Sequence, residues 1–138
     1  MASVITVLKQ DHRTVEKLFG DFEVSQDESI ATAICDELDV HTDLEERIVY
    51  PALRREVQGG PGMATHAEKE HTEARQIIGR IRRTEDHDHI ADLVTELQQA
   101  VEEHVKEEEN DVFPKMESEM AAQRLEELGA EVESEKSS

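Results

Sequence analysis

The chain carries 15 Lys+Arg against 34 Asp+Glu in 138 residues, a formal charge of -19, so phosphate backbones and anionic bilayers repel it. Nucleic acid and membrane surfaces are therefore not expected partners, and the acidity itself reads as solubility with diffuse attraction for cations. The single cysteine, Cys35, rules out an internal disulfide framework and Cys-based zinc spacing, which fits a reducing compartment.

This length suits one domain with one core. Strand-like alternation is missing, and three prolines and six glycines are few, so an all-α chain is expected. Met1 to Gln10 shows no basic n-region, and Lys9, Asp11 and His12 interrupt its short apolar stretch too early for a secretory leader. With no run of membrane-spanning length either, the expected location is cytoplasmic.

Four segments show helical periodicity. The first, from about Ser3 to Val24, opens on a Ser3 N-cap and carries the stripe Ile5, Leu8, His12, Val15, Phe19 and Phe22. The second starts near Asp27 with Ile30, Ile34, Leu38, His41, Glu45, Ile48 and Ala52, and stops before the loop signal Gly59-Gly60-Pro61-Gly62. A third, roughly Met63 to Arg83, aligns Ala67, His71, Ala74, Ile78 and Ile81. After the polar stretch Thr84 to His89, the fourth carries Ile90, Leu93, Leu97, Ala100 or Val101, His104, Glu108 and Val112, and ends around Pro114. A short amphipathic helix from about Ser118 to Leu128 follows, with Gly129 as C-cap, and residues 130–138 read as a disordered acidic tail. The expected architecture is an up-down-up-down four-helix bundle over residues 1–129, because short connections make neighbouring helices antiparallel.

Four histidines and two glutamates fall on the apolar stripes: His12, His41, Glu45, His71, His104 and Glu108. Burying such groups costs several kcal/mol unless something satisfies them, and six of them need a common explanation. The segment His41-x-x-x-Glu45-Glu46-x-x-Val49-Tyr50-Pro51 recurs as His104-x-x-x-Glu108-Glu109-x-x-Val112-Phe113-Pro114. Residues four apart on a helix are rotated by only about 40°, so each His/Glu pair offers a nitrogen and an oxygen to one place. An N/O donor set without thiolates suits iron or another borderline first-row metal, and the core of a bundle is a known setting for such sites.

This pattern resembles the hemerythrin-like (HHE cation-binding) family over residues 4–116. The resemblance implies two iron ions with an oxo or hydroxo bridge: His12 and His41 on one, His71 and His104 on the other, Glu45 and Glu108 bridging. It further implies a small partner such as dioxygen, peroxide or nitric oxide, in sensing, scavenging or stress protection; no catalytic acid or base is readable. Oxygen-carrying hemerythrins have His-x-x-x-His on the third helix, whereas Ala67 stands four residues before His71; they end in His-x-x-x-x-Asp, whereas Glu108 follows His104 by four and Glu109 by five. The second iron then has an exchangeable position or a substitute ligand, for which His66, Glu68, Glu70 and Tyr50 are the candidates.

Several neighbours carry a plainer reading beside the functional one. Tyr50 matches Phe113 in the other copy and reads as core packing before a proline, while Glu70 reads as an outer hydrogen-bond partner or a surface charge. Glu46 and Glu109 suit either the free ring N–H of a metal-bound histidine or an exposed helix face. His87 and His89 read as loop or helix-start residues with no metal role. Two other functions compete: ferritin-like iron oxidation and storage, for which only Glu68-x-x-His71 has the required spacing, and a metal-free interaction module whose core histidines bond to the glutamates.

Overall fold

A computed structural model describes residues 1–137, and among them the chain is an all-α bundle without strands. Helix α1 (Val4–Ser25) is capped as expected, the Ser3 hydroxyl accepting the N–H of Ile5 at 3.2 Å. Helix α2 (Glu28–Leu44) is capped by the Asp27 carboxylate. It runs without a break through a wide π turn, Glu45–Val49, into α3 (Tyr50–Glu56). Helix α4 spans Gly60–Arg83 and α5 spans His87–Glu107, and α5 likewise passes through a π turn, Glu108–Val112, into α6 (Phe113–Glu119). Last comes α7, Ala122–Lys136.

The prolines explain the π turns and correct the expected end of the fourth helix. Pro51 and Pro114 bring no N–H, and each ring would clash with the carbonyl four residues back in a regular helix. Widening one turn relieves that clash: the N–H groups of Tyr50 and Phe113 reach back five residues, to the carbonyls of Glu45 and Glu108. The helix therefore continues past Pro114 to Glu119. The loop signal is narrower than it reads, because only Gly59 turns the chain, at φ 76°, and Pro61 already lies in the first turn of α4.

The tail expectation is overturned for the residues described. Residues 130–136 continue α7, Val132 is fully buried, and the helix packs along α1; Ser138 lies outside the described residues. Gly129 does not cap this helix. It sits within it where α7 crosses the start of α1, and a Cβ there would stand 2.3 Å from the carbonyl oxygen of Ala2. A single Val in a Glu/Ser-rich stretch was too weak an apolar signal to reveal this contact.

Cross-links between α2/α3 and α4 run in opposite order along the two segments, from Asp36 and Asp39 with Arg82 to Glu46 with His71 and Arg54 with Glu68. The same holds between α4 and α5, where Arg80 meets Glu96 and His66 meets Glu107. Both pairs are thus antiparallel. Two apolar clusters form the core. One gathers Leu8, Leu53, Phe113, Met116 and Leu128; the other gathers Phe19, Ile34, Leu38, Leu93 and Leu97. Along α1 the first cluster takes residues up to Leu8 and the second takes those from Val15 onward, so His12 falls between them. The polar stripe residues are a layer clamped between two dry halves.

Gly129→Ala should cost about 1–3 kcal/mol, because backbone atoms of the α1 start cannot yield to the new methyl. Gly20→Ala, with nothing within 4 Å of its Cβ position, should instead stabilise α1 by roughly 0.5–1 kcal/mol. Denaturant melts of both variants check this, and equal midpoints would contradict the close crossing of α7 over α1.

Candidate metal centre

Helices α1, α2, α4 and α5 each deliver one histidine to this layer, His12, His41, His71 and His104, while Glu45 and Glu108 open the two π turns. The wide turns follow from the prolines and help set how each carboxylate enters the layer, so one local feature serves both backbone and site. His12, His41, His71, Glu45 and Glu108 are buried, and the His104 side chain is 12% exposed. All six predicted residues are brought together.

They divide into two donor groups that share Glu45. His12, His41, Glu45 and Glu108 form one, and Glu45, His71 and His104 the other, with the donor atoms of each group within 4.8 Å of one another. An ion about 2.0–2.2 Å from each N or O donor holds opposite donors roughly 4.4 Å apart, so a slight contraction would close each group on one ion. Glu108 spans both halves, its Oε1 lying 3.0 Å from His12 Nε2 and its Oε2 3.4 Å from His104 Nε2. Glu45 Oε1 lies 3.0 Å from His41 Nε2 and 3.2 Å from His71 Nε2.

These short contacts do not satisfy the atoms that make them. Among the described residues, His12 Nε2, His41 Nε2, both oxygens of Glu45 and Glu108 Oε1 are buried without a hydrogen-bond partner, because proximity comes without hydrogen-bonding geometry. Five orphaned donor atoms at one level would be costly in a finished core. They fit cations.

The outward ring nitrogens tell the same story from the other side. Every Nδ1 is held by a carboxylate: His12 by Glu109 at 2.6 Å, His41 by Asp11 at 3.0 Å, His71 by Glu46 at 2.7 Å and His104 by Glu70 at 2.9 Å. This fixes ring orientation and the Nδ1–H tautomer, leaving Nε2 free to ligate. Glu46 and Glu109 are thereby placed as ring holders, and so is Glu70. Asp11 was missed by sequence reading, although its position directly before His12 was visible.

Three of the four carboxylates are backed by a fixed cation: Glu109 by Arg13, Asp11 by Lys136 and Glu46 by Arg75. The expected substitute ligands now separate. Glu68 pairs with Arg54 at 2.6 Å, and His66 faces solvent against Glu107. Tyr50 is not mere packing: its hydroxyl donates to Glu108 Oε2 at 2.8 Å and lies 3.2 Å from His71 Nε2. Tyr50 also stacks on His71 as Phe113 stacks on His12, so the two copies differ by one hydroxyl aimed into the layer. That difference was the available signal. His87 pairs with Glu28 at the surface, away from the site.

Charge coupling inside the layer is strong. Burial alone would lower the pKa of His41, yet Glu45 and Asp11 outweigh it and hold the value at about 10. Burial and Glu108 act in the same opposed way on His104, which is also pushed up. Burial would raise Glu45, but His41, His104 and His71 hold it well below the usual carboxylate range. For Tyr50, burial and then Glu108 raise the phenol, so it stays protonated and a donor.

In metal-free protein the His41 contribution to stability is complete below its ordinary value of 6.5 and disappears as pH rises through about 10. Lowered carboxylates such as Glu45 contribute above their ordinary value of 4.5 and lose that contribution in acid. Chelator-treated protein should therefore melt highest between about pH 4.5 and 6.5 and progressively lower toward pH 10. A melting temperature that rises across that alkaline range would contradict the coupling.

Comparison with known proteins agrees with this geometry. A curated relative, a DNA nickase from Nostoc sp. (strain PCC 7120 / SAG 25.82 / UTEX 2576), is 25% identical over 136 residues, which is 95% of this chain. The chain spans 38% of the length of that relative. No solved structure matches. The model of the hemerythrin HHE cation binding domain matches residues 3–116, and the chain belongs to that family of cation-binding domains.

Proposed function

We propose that this domain is a non-haem di-iron protein whose centre meets a small oxidant or ligand, dioxygen, peroxide or nitric oxide, in sensing, scavenging or stress protection. The observation that carries the reading is the convergence of four imidazoles and two carboxylates into two donor groups that share Glu45, with five of the atoms, on His12, His41, Glu45 and Glu108, buried and unpartnered among the described residues. With both metals bound, a pair of adjacent iron ions would supply one-electron steps two at a time. His12 and His41 are the nitrogen donors for one ion, His71 and His104 for the other, and Glu45 and Glu108 are the shared carboxylates.

The surroundings favour a small uncharged visitor. An apolar cavity of about 30 Å³ adjoins all four imidazoles and is walled by Val15, Leu38, Ala74, Val101 and Val105. That is room for one water-sized or diatomic molecule, and apolar walls leave such a space dry. Tyr50 holds a proton at the edge of the layer, and its hydroxyl steadies the shared carboxylate of Glu108.

Competing readings find less support. Glu68, the residue a ferritin-like site would need, is engaged by Arg54 at the surface. A metal-free module would leave five buried atoms without hydrogen bonds among the described residues, held by charge coupling alone. Strand cleavage is not carried over from the nickase relative: the chain corresponds to 38% of that protein, and a charge of -19 opposes binding to DNA.

Elemental analysis and the absorption spectrum of protein purified from iron-replete cells test the proposal. Two irons per chain are expected, with Glu45→Ala and Glu108→Ala each losing more than half the metal and His87→Ala losing none. Iron-free protein, or equal losses in all three variants, would sink it.

A further inference from the structure

The fourth ring-holding carboxylate, Glu70, breaks the pattern of the other three. No Lys or Arg contacts it among the described residues; it meets His66, whose Nε2 lies 3.6 Å from Glu70 Oε2 and 3.0 Å from Glu107 Oε2. His66 and Glu70 are one turn apart on α4, and Glu107 comes from the end of α5, so two helices present one nitrogen and two carboxylates. Donor atoms of the three lie within 4.8 Å of one another, the same spread as in the buried groups. Where Asp11, the equivalent carboxylate before His12, meets Lys136 of α7, this corner has a donor set for a mobile cation.

Its position adds a second, independent argument. These three residues stand in a cleft of about 510 Å³ that also has Ala67, His104, Glu108 and Asp111 in its walls. The cleft thus joins solvent, reached by a His66 side chain that is 60% exposed, to two donors of the inner layer, His104 and the buried Glu108. Ala67, whose side chain is a single methyl, helps leave this passage open, and Glu70 is common to both ends because its other oxygen holds His104 Nδ1.

We propose that His66, Glu70 and Glu107 form an outer site for a divalent first-row cation, a staging point through which metal enters the inner layer. This rests on the reading of the inner layer as a metal centre. One nitrogen and carboxylate oxygens suit Fe(II), Mn(II) or Co(II), with water filling the remaining positions. Solvent exposure and three protein donors make it a weaker, faster site than the buried pair, as a staging point requires. A carboxylate-lined cleft also concentrates cations at its mouth.

Calorimetric titration with Co(II), combined with timed anaerobic Fe(II) uptake by the metal-free full chain, tests this in H66A/E107Q. Wild-type protein should bind one Co(II) more than the variant, and the variant should take up Fe(II) roughly tenfold more slowly while reaching the same final inner loading. Equal Co(II) counts, or equal uptake rates, would overturn the outer site while leaving the inner centre intact. Failure of the inner centre looks different: wild type would then bind one Co(II), retained in Glu45→Ala/Glu108→Ala and lost in H66A/E107Q. Because His66 and Glu107 lie at the surface, the variant should melt with wild type, which a thermal scan verifies.

Discussion

Glu45 and Glu108, buried with their oxygens turned toward four imidazole Nε2 atoms, set the problem that the rest of the bundle solves. Two carboxylates and four imidazoles in a dry layer are tolerable only with compensating charge, since unpaired ions in such surroundings cost several kcal/mol each. Within the protein itself, compensation is arranged outward. Each ring is held at Nδ1 by a carboxylate, and three of those carboxylates are held by Arg13, Lys136 or Arg75. What remains inside includes five buried ligand atoms, on His12, His41, Glu45 and Glu108, without a hydrogen-bond partner among the described residues. Two apolar clusters bound the layer on either side along the bundle.

The near-duplication of the chain makes its departures informative. Both copies have a π turn that starts on the shared glutamate and an aromatic residue that stacks on a histidine of the other hairpin. Only one aromatic carries a hydroxyl, Tyr50, and only one ring-holding carboxylate lacks a fixed cation, Glu70. Both exceptions fall on the His71/His104 half, where Glu70 lines the open cleft and Tyr50 bonds to Glu108 in its wall. On the His12/His41 half, Phe113 stacks on His12 and Lys136 of α7 holds Asp11.

Much of this was legible in the residues because polar ligands on an apolar stripe contradict the hydrophobic pattern, and His-x-x-x-Glu spacing points both groups to one place. The six stripe residues and the helices that carry them followed from periodicity alone. Periodicity does not see the outer carboxylates: Glu46 and Glu109 read equally well as solvent-facing charges, and Asp11 lies beside the stripe. Their roles come from helix pairing, which places Asp11 of α1 against His41 of α2. Neither π turn shows in the apolar period, which runs straight through Pro51 in the second helix and ends at Pro114 in the fourth, although a proline six residues after each shared glutamate points to a widened turn. The helical course of α7 rests on Val132 and on a glycine that allows close crossing, features too sparse to outweigh an acidic, serine-rich composition.

If two cations complete the polar layer, the metal-free chain responds to metal added back. A ligand at free concentration L that binds only the folded state stabilises it by RT ln(1 + L/Kd), so a tight site raises the melting temperature sharply until it is filled and only logarithmically beyond. Anaerobic Fe(II) titrated into chelator-treated protein should raise the melting temperature steeply up to two equivalents per chain, with little further gain. A melting temperature unmoved by Fe(II) would show that the layer is satisfied without metal and would contradict the account.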